Sequence, residues 1–189
     1  MTTRVSILLT LILIPVLCFR ATGFQAREHL TPQEIDLVKD AQILDQRIDV
    51  FIKAADRRML VLNGTKATNA KELKKDSDLW GDLPTGTRAE LIGDIARIFD
   101  EAITNIDDVD ARDENNPLIP KALRKLAASA SRIVEQLKST EAQAKDVAEL
   151  NNFDLLTENE ESILQAVNKL PPPVEKKAKG KTNKPKTTN

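Results

Sequence analysis

The 189-residue sequence contains one histidine, one tryptophan, one cysteine and no tyrosine. A single imidazole cannot supply the paired Glu-x-x-His motifs of di-iron helical bundles, and a serine triad would have to recruit His29. A carboxylate-pair glycosidase normally needs aromatic platforms for its sugar, and only 3% of these residues are aromatic. The composition therefore argues against an enzyme, and we expect no cofactor.

Carboxylates are abundant, but their spacing does not fit a calcium loop. Such a loop needs oxygen ligands at alternate positions and a central glycine, whereas counting from Asp108 places Arg112 fifth and Ile119 twelfth. We therefore expect no metal site. We interpret the acids as one structural charge cluster, offset by basic residues at the start of the next helix. The predicted members are Asp107, Asp108, Asp110, Lys121, Arg124 and Lys125.

Residues 1–23 have the pattern of a secretory signal peptide, with Arg4 followed by an apolar run over residues 5–17. The run is shorter than the roughly 20 apolar residues that cross a membrane. Ala21 and Gly23 provide small residues for a signal peptidase. We predict cleavage after Gly23 and export to the periplasm or the medium, with an uncleaved membrane anchor as the alternative.

The only cysteine, Cys18, lies within this N-terminal segment. Bulky Leu17 precedes it where a lipoprotein would have a small residue, so we do not expect lipid attachment. Cleavage after Gly23 would remove the cysteine. The exported protein would then fold without any disulfide, and its stability would depend on apolar packing.

Charge is distributed unevenly along the chain. Residues 24–170 carry 20 Lys and Arg against 28 Asp and Glu, a net charge of −8. Residues 171–189 carry six Lys and one Glu, a net charge of +5, and their Pro- and Lys-rich composition predicts disorder. An acidic body argues against nucleic-acid binding there, whereas the tail is suited to weak contact with an anionic surface.

The longest amphipathic pattern predicts one continuous helix over residues 31–64. Thr31 and Glu34 form a capping-box pair at its start, and Gly64 readily adopts the left-handed conformation that follows many helices. At 1.5 Å per residue, about 30 residues would span roughly 45 Å. The predicted apolar seam consists of Leu37, Ala41, Leu44, Ile48, Phe51, Ala55 and Met59.

Two more long helices are predicted after the first. Thr87 and Glu90 form a second capping box before a helix over residues 88–111. A third helix of about 30 residues opens near Asn116 and continues almost to Asn151. Its seam is expected to include Leu123, Leu126, Ala130, Ile133, Leu137, Thr140, Ala144 and Val147.

The pattern changes again near the C-terminal end of the body. Asn151 and Asn152 indicate a break, and a third capping box, Thr157 with Glu160, predicts a short final helix. Three prolines beginning at Pro171 would end it. A brief helix over residues 70–75 is also predicted, and no alternation of polar and apolar residues indicates a strand.

Trp80 lies in the connection between the first two long helices, between Leu79 and Leu83. It is either a buried plug at one end of the helices or an exposed aromatic anchor for a partner. We favour the plug because large aromatic residues flanked by leucine are usually buried. The same three residues, Trp80, Leu79 and Leu83, are the candidates for a partner-binding surface.

The sequon formed by Asn63, Gly64 and Thr65 has two interpretations. It is an N-glycosylation acceptor in a host that glycosylates exported proteins. It also ends an apolar helix, and this helix-cap interpretation requires no assumption about the host. We favour the cap, and glycosylation of Asn63 remains open.

These observations predict an all-α domain over residues 24–170. The expected architecture is an elongated antiparallel bundle of three long helices plus a short C-terminal helix, followed by a disordered basic tail. The predicted function is a non-catalytic exported structural or partner-binding module, acting through an unknown protein partner or self-association. The alternative is an envelope-tethering protein held to an anionic surface by its tail or an uncleaved anchor.

Overall fold

The structure, a computed structural model, describes residues 27–64 and 77–172. Of these, 75% are helical and none lies in a strand, which confirms the all-α prediction. The predicted signal peptide, the brief helix over residues 70–75 and residues 173–189 of the tail lie outside the described residues.

The described residues contain five helices and one further helical turn. The turn covers residues 77–80. The helices are α1 (Pro32–Asp40), α2 (Leu44–Leu62), α3 (Arg88–Asp110), α4 (Ile119–Glu141) and α5 (Val147–Asn168). Two of the three predicted capping boxes form: Thr31 with Glu34 caps α1, and Thr87 with Glu90 caps α3.

The prediction of one continuous first helix is wrong. The chain leaves helical geometry between Ala41 and Ile43, where ψ is 84° and 129°, and so separates α1 from α2. The side chain of Arg47 donates to the Ala41 carbonyl at 2.9 Å and stabilises the bend. The break allows Glu34 to reach Arg57, because 23 residues of straight helix would hold them about 35 Å apart. The fold therefore gives up the hydrogen bonds of a continuous helix at this point and forms a buried ion pair between α1 and α2.

The boundary between the last two helices is also not where the sequence predicts it. α4 ends at Glu141, and Asp146 caps α5 by accepting a hydrogen bond from the Ala148 amide at 3.3 Å. Thr157 and Glu160 therefore lie inside a helix of 22 residues rather than at the start of a short one. The predicted seam of the third helix holds through Leu137, but Val147 is 69% exposed.

The break predicted at Asn151 and Asn152 is wrong because asparagine has another role here. The amides of Asn152 and Asn159 each donate at 2.8 Å to carbonyls of α3, at Ala89 and Ala96 respectively. Gly93 lies between these contacts, and a Cβ there would lie 2.7 Å from the Asn152 amide nitrogen. A glycine and two asparagines thus allow α3 and α5 to approach closely.

Contacts that cross between helices define their directions. Ion pairs join α2 to α4 with a constant sequence offset of 76, so these neighbours run parallel. The asparagine contacts join α3 to α5 with a constant offset of 63, so they too are parallel. The start of α2 meets the end of α3, and the start of α4 meets the end of α5, which makes these pairs antiparallel.

Long helices that are consecutive in sequence therefore run antiparallel, as expected of neighbours joined by short connections, and the parallel pairs, α2 with α4 and α3 with α5, are each separated by one helix. α4 packs more extensively against α2 than against α3, its immediate predecessor in sequence, and the backbones of α2 and α5 do not approach each other closely within the described residues. The connection over residues 111–118 is long enough to carry α4 across to α2. As a result, the ends of α3 and α5 lie at the same end of the fold as the start of α4.

One shared apolar core joins these helices. Phe51 of α2 and Ile98 and Phe99 of α3 are all 0% exposed and belong to it, which confirms the prediction that the first two seams share a core. Full burial of such a side chain contributes about 1.5–3 kcal/mol. Within the described residues, no helix is both long enough and apolar enough to pass through a membrane.

Candidate binding groove

A half-open apolar groove of about 240 Å³ lies where α3 ends, α4 begins and α5 ends. The parallel packing of α3 and α5 brings their C-terminal turns together here, and α4 closes the third side. The apolar wall consists of Ile103, Ile106, Ile119, Leu123, Ile163, Ala166 and Leu170, and the polar border of Asp107, Asp110, Ser162 and Lys169. Covering this apolar surface with a ligand is favourable, because it removes the surface from contact with water.

The acidic border of the groove carries repulsion between like charges. Partial burial raises the pKa of the Asp107 carboxyl, and the charges of Asp110 and Asp108 raise it further. These carboxylates also lie in the last turn of α3, where the helix dipole is negative. The border therefore favours a cationic group.

The predicted charge cluster does not pair in the way the sequence led us to expect. Lys121 bonds to Asp45 at 2.6 Å, and Lys125 bonds to Asp45 and Asp49, each at 2.8 Å. Hydrogen bonds from both lysines lower the pKa of Asp45. These cations thus neutralise α2 rather than the acids at the end of α3, because α4 packs beside α2.

The third basic residue of the predicted cluster, Arg124, contacts the chain where it leaves the last helix. Its Nη2 donates to the carbonyl of Pro171. Pro171 directly follows Leu170, which lines the groove. The contact fixes the exit of the C-terminal segment at the edge of the groove.

The candidate surface around Trp80 is not a continuous exposed patch. Trp80 is only 9% exposed and belongs to the core, as the plug interpretation predicts. Leu79 is 60% exposed, whereas Leu83 is half-buried. Of these three residues, only Leu79 is freely available to a partner.

A second polar feature, which the sequence reasoning missed, is an ionic network inside the core. Glu34 is 0% exposed, and its Oε1 accepts from Arg57 Nε at 3.1 Å and from Arg58 Nη1 at 2.7 Å. Its Oε2 accepts from the Thr31 amide at 2.9 Å. The capping-box carboxylate of α1 is therefore also the counter-ion of two buried arginines.

The other donors of Arg57 hold the connection before α3. Arg57 Nη2 donates to the carbonyls of Trp80, Gly81 and Asp82, at 3.2, 3.1 and 2.5 Å. Its guanidinium also lies 5.7 Å from the centre of the Trp80 ring, within cation–π range. Arg57 thus secures Trp80 as a plug.

Arg58 is likewise occupied by the protein itself. Besides Glu34, it donates to the carbonyls of Ala54 at 2.8 Å and His29 at 2.6 Å. A shallow depression beside it is also lined by Arg27, but Arg27 pairs with fully buried Asp94 at 2.7 Å. Both guanidinium groups are engaged, so this network is structural. A signal for it existed in the sequence, since Arg58 falls seven residues after Phe51, on the apolar face.

The described residues contain no group of three or more His, Cys, Asp or Glu side chains arranged to hold a metal ion. His29 forms a hydrogen bond of 2.7 Å with Glu101, which joins the N-terminal segment to α3. No protein-family model matches this sequence, and the comparisons with curated proteins and with solved structures produced no match.

Proposed function

We propose that this protein is a non-catalytic helical binding module whose groove takes a basic peptide segment of a protein partner. One observation carries the proposal: an apolar groove is bordered by Asp107 and Asp110, and the pKa of Asp107 is raised by burial and by neighbouring carboxylates. Lysine or arginine groups would relieve that repulsion. One or two apolar side chains of the same segment would fill the groove.

The size of the groove supports a peptide rather than a cofactor or metabolite. Its volume of about 240 Å³ falls below the roughly 300–1,000 Å³ of typical small-molecule pockets. Its border has acidic side chains and a single lysine, Lys169. A short segment with cationic side chains around an apolar anchor matches both properties.

We further propose that the four long helices form one bundle and that the protein is exported. Export is supported by the signal-peptide pattern of residues 1–23, and an uncleaved anchor is the alternative. In either case the partner would be an envelope or secreted protein. The competing function, tethering to an anionic envelope, is supported by the net charge of +5 in residues 171–189.

The test is a binding titration of the full chain with a fluorescein-labelled synthetic peptide of lysines and serines that carries two adjacent leucines. We expect saturable anisotropy that weakens as salt rises, because the acidic border is exposed to solvent. A peptide with serine in place of the leucines, and one with glutamate in place of the lysines, should both bind more weakly.

Matched variants locate the site. The double substitution Asp107→Asn with Asp110→Asn should weaken binding about thirtyfold, since single charges near an oppositely charged surface contribute about 1 kcal/mol each. The double substitution Asp36→Asn with Asp154→Asn removes the same charge from exposed positions on α1 and α5, and should leave affinity unchanged. Equal affinity for all three proteins would refute the proposed groove. Binding to anionic vesicles that salt reverses, with no peptide binding, would favour tethering.

A further inference from the structure

The position at which the chain leaves α5 places its own basic segment beside the acidic groove. Arg124 holds the Pro171 carbonyl, and the preceding residue, Leu170, is part of the groove wall. Seventeen more residues, 173–189, follow Pro172. At roughly 3.3 Å per extended residue, only the first few are needed to cross the groove.

The composition of this segment matches the ligand class proposed above. It has six lysines and a single acid, Glu175, so it is strongly cationic. Val174 is its only large apolar residue and occurs two positions after Pro172. Apolar and cationic groups thus occur in the order in which a chain leaving at Pro171 would meet the groove and then its acidic border.

We infer that residues 173–189 occupy this groove when no partner is bound, with Val174 in the apolar wall and the lysines against the acids at the end of α3. This inference rests on the proposed function, because it assigns the regulation of the same site. A covalently attached ligand has an effective concentration in the millimolar range, so a weak contact suffices to keep the groove filled. The partner must displace it, which makes the tail a built-in competitor.

The test compares the full chain with a full-length variant in which every tail lysine is replaced by glutamine. The substituted positions are Lys176, Lys177, Lys179, Lys181, Lys184 and Lys186. We expect this variant to bind the leucine- and lysine-containing peptide about tenfold more tightly than the parent, and the gap to close at high salt. Equal affinities would overturn the inference and leave the proposed function intact.

A second measurement separates the two proposals when neither protein binds the peptide. Zero-length carbodiimide coupling forms an amide only between a carboxylate and an amine in direct contact. On the dilute full chain we expect intramolecular links from Asp107 or Asp110 to tail lysines, and none from Asp36 or Asp154. Such links without peptide binding would support the tail contact and refute a partner groove. Absence of the links would overturn the inference.

Discussion

Replacing Glu34 with glutamine removes the only side-chain carboxylate that pairs with Arg57 and Arg58 among the described residues. The three side chains are at most 2% exposed, and the ion-pair distances are 3.1 and 2.7 Å. Glutamine keeps the shape but has no charge, so two guanidinium groups would remain buried without a counter-ion. Removing one partner of a buried ion pair typically costs about 3–5 kcal/mol.

The protein supplies its own control for the capping contribution. Glu90 makes the same capping box with Thr87 that Glu34 makes with Thr31, but its side chain is 47% exposed. Glu90→Gln makes the same change in the equivalent capping box at the start of α3 and leaves no buried charge behind. The difference between the two variants therefore isolates the contribution of the buried arginines.

Urea unfolding followed by far-ultraviolet circular dichroism gives the free energy of unfolding of each variant. We expect Glu34→Gln to lower it by about 3–5 kcal/mol with an unchanged denaturant slope. Trp80 fluorescence should change at the same midpoint, because Arg57 ties Trp80 to this network. If Glu34→Gln lowers the free energy of unfolding no more than Glu90→Gln does, the reasoning is refuted, because the two arginines would then not depend on Glu34 as their counter-ion.

Three further predictions use the same unfolding assays. Phe51→Ala should cost about 3–5 kcal/mol because Phe51 is 0% exposed, and its midpoint should not shift over a hundredfold range of protein concentration if the core closes within one chain. Asp107→Asn should raise the melting temperature at pH 7 but not near pH 3. The pKa of Asp107 is higher in the folded protein than its ordinary value of 3.8, so ionisation of this carboxyl as pH rises above 3.8 disfavours the fold, whereas at pH 3 the carboxyl is protonated in both states. Asp45 has a lowered pKa, so its stabilising pairs with Lys121 and Lys125 persist above 3.8 and are lost as pH falls through the lower folded value. Asp45→Asn should flatten that acid dependence.

Local rules predicted the helices well wherever short-range chemistry decides the structure. Thr31 with Glu34 and Thr87 with Glu90 start helices because each cap needs only residues three apart. The apolar spacing from Leu123 to Leu137 also predicted the buried face of α4. These features depend on single-helix geometry, which a sequence displays directly.

The same rules failed where a distant partner decides the structure. Thr157 and Glu160 match a capping box, but Asp146 starts α5 earlier, and Asn152 and Asn159 bond to α3. Asparagine stops many helices because its side chain competes for the backbone, yet here a neighbouring helix accepts its hydrogen bonds. The seven-residue spacing of the two asparagines was the available signal that they lie on one face.

The groove itself could not be predicted from spacing alone, because it depends on which helices become neighbours. Sequence order implied that α4 would lie beside α3 and that Lys121 and Lys125 would neutralise the acids there. α4 does begin beside the end of α3, but it packs more extensively against α2, and its two lysines meet Asp45 and Asp49 there. The two lysines therefore pair with α2 and do not neutralise the acids at the end of α3.

The same topology explains why the acidic border of the groove lies next to the point where the basic tail leaves the fold. Since α3 and α5 run parallel, the last turn of α3, with its carboxylates, lies beside the last turn of α5, from which the tail departs. An antiparallel α3 and α5 would have separated the acids from the tail by the length of a helix, about 33 Å for 22 residues. The parallel direction of this helix pair, which the Asn152 and Asn159 contacts show, therefore places the exit of the chain at Pro171 beside the groove. Gly93→Leu, which would displace the Asn152 side chain from the Ala89 carbonyl, should weaken carbodiimide links between the tail lysines and Asp107 or Asp110, even though position 93 lies outside both the groove and the tail.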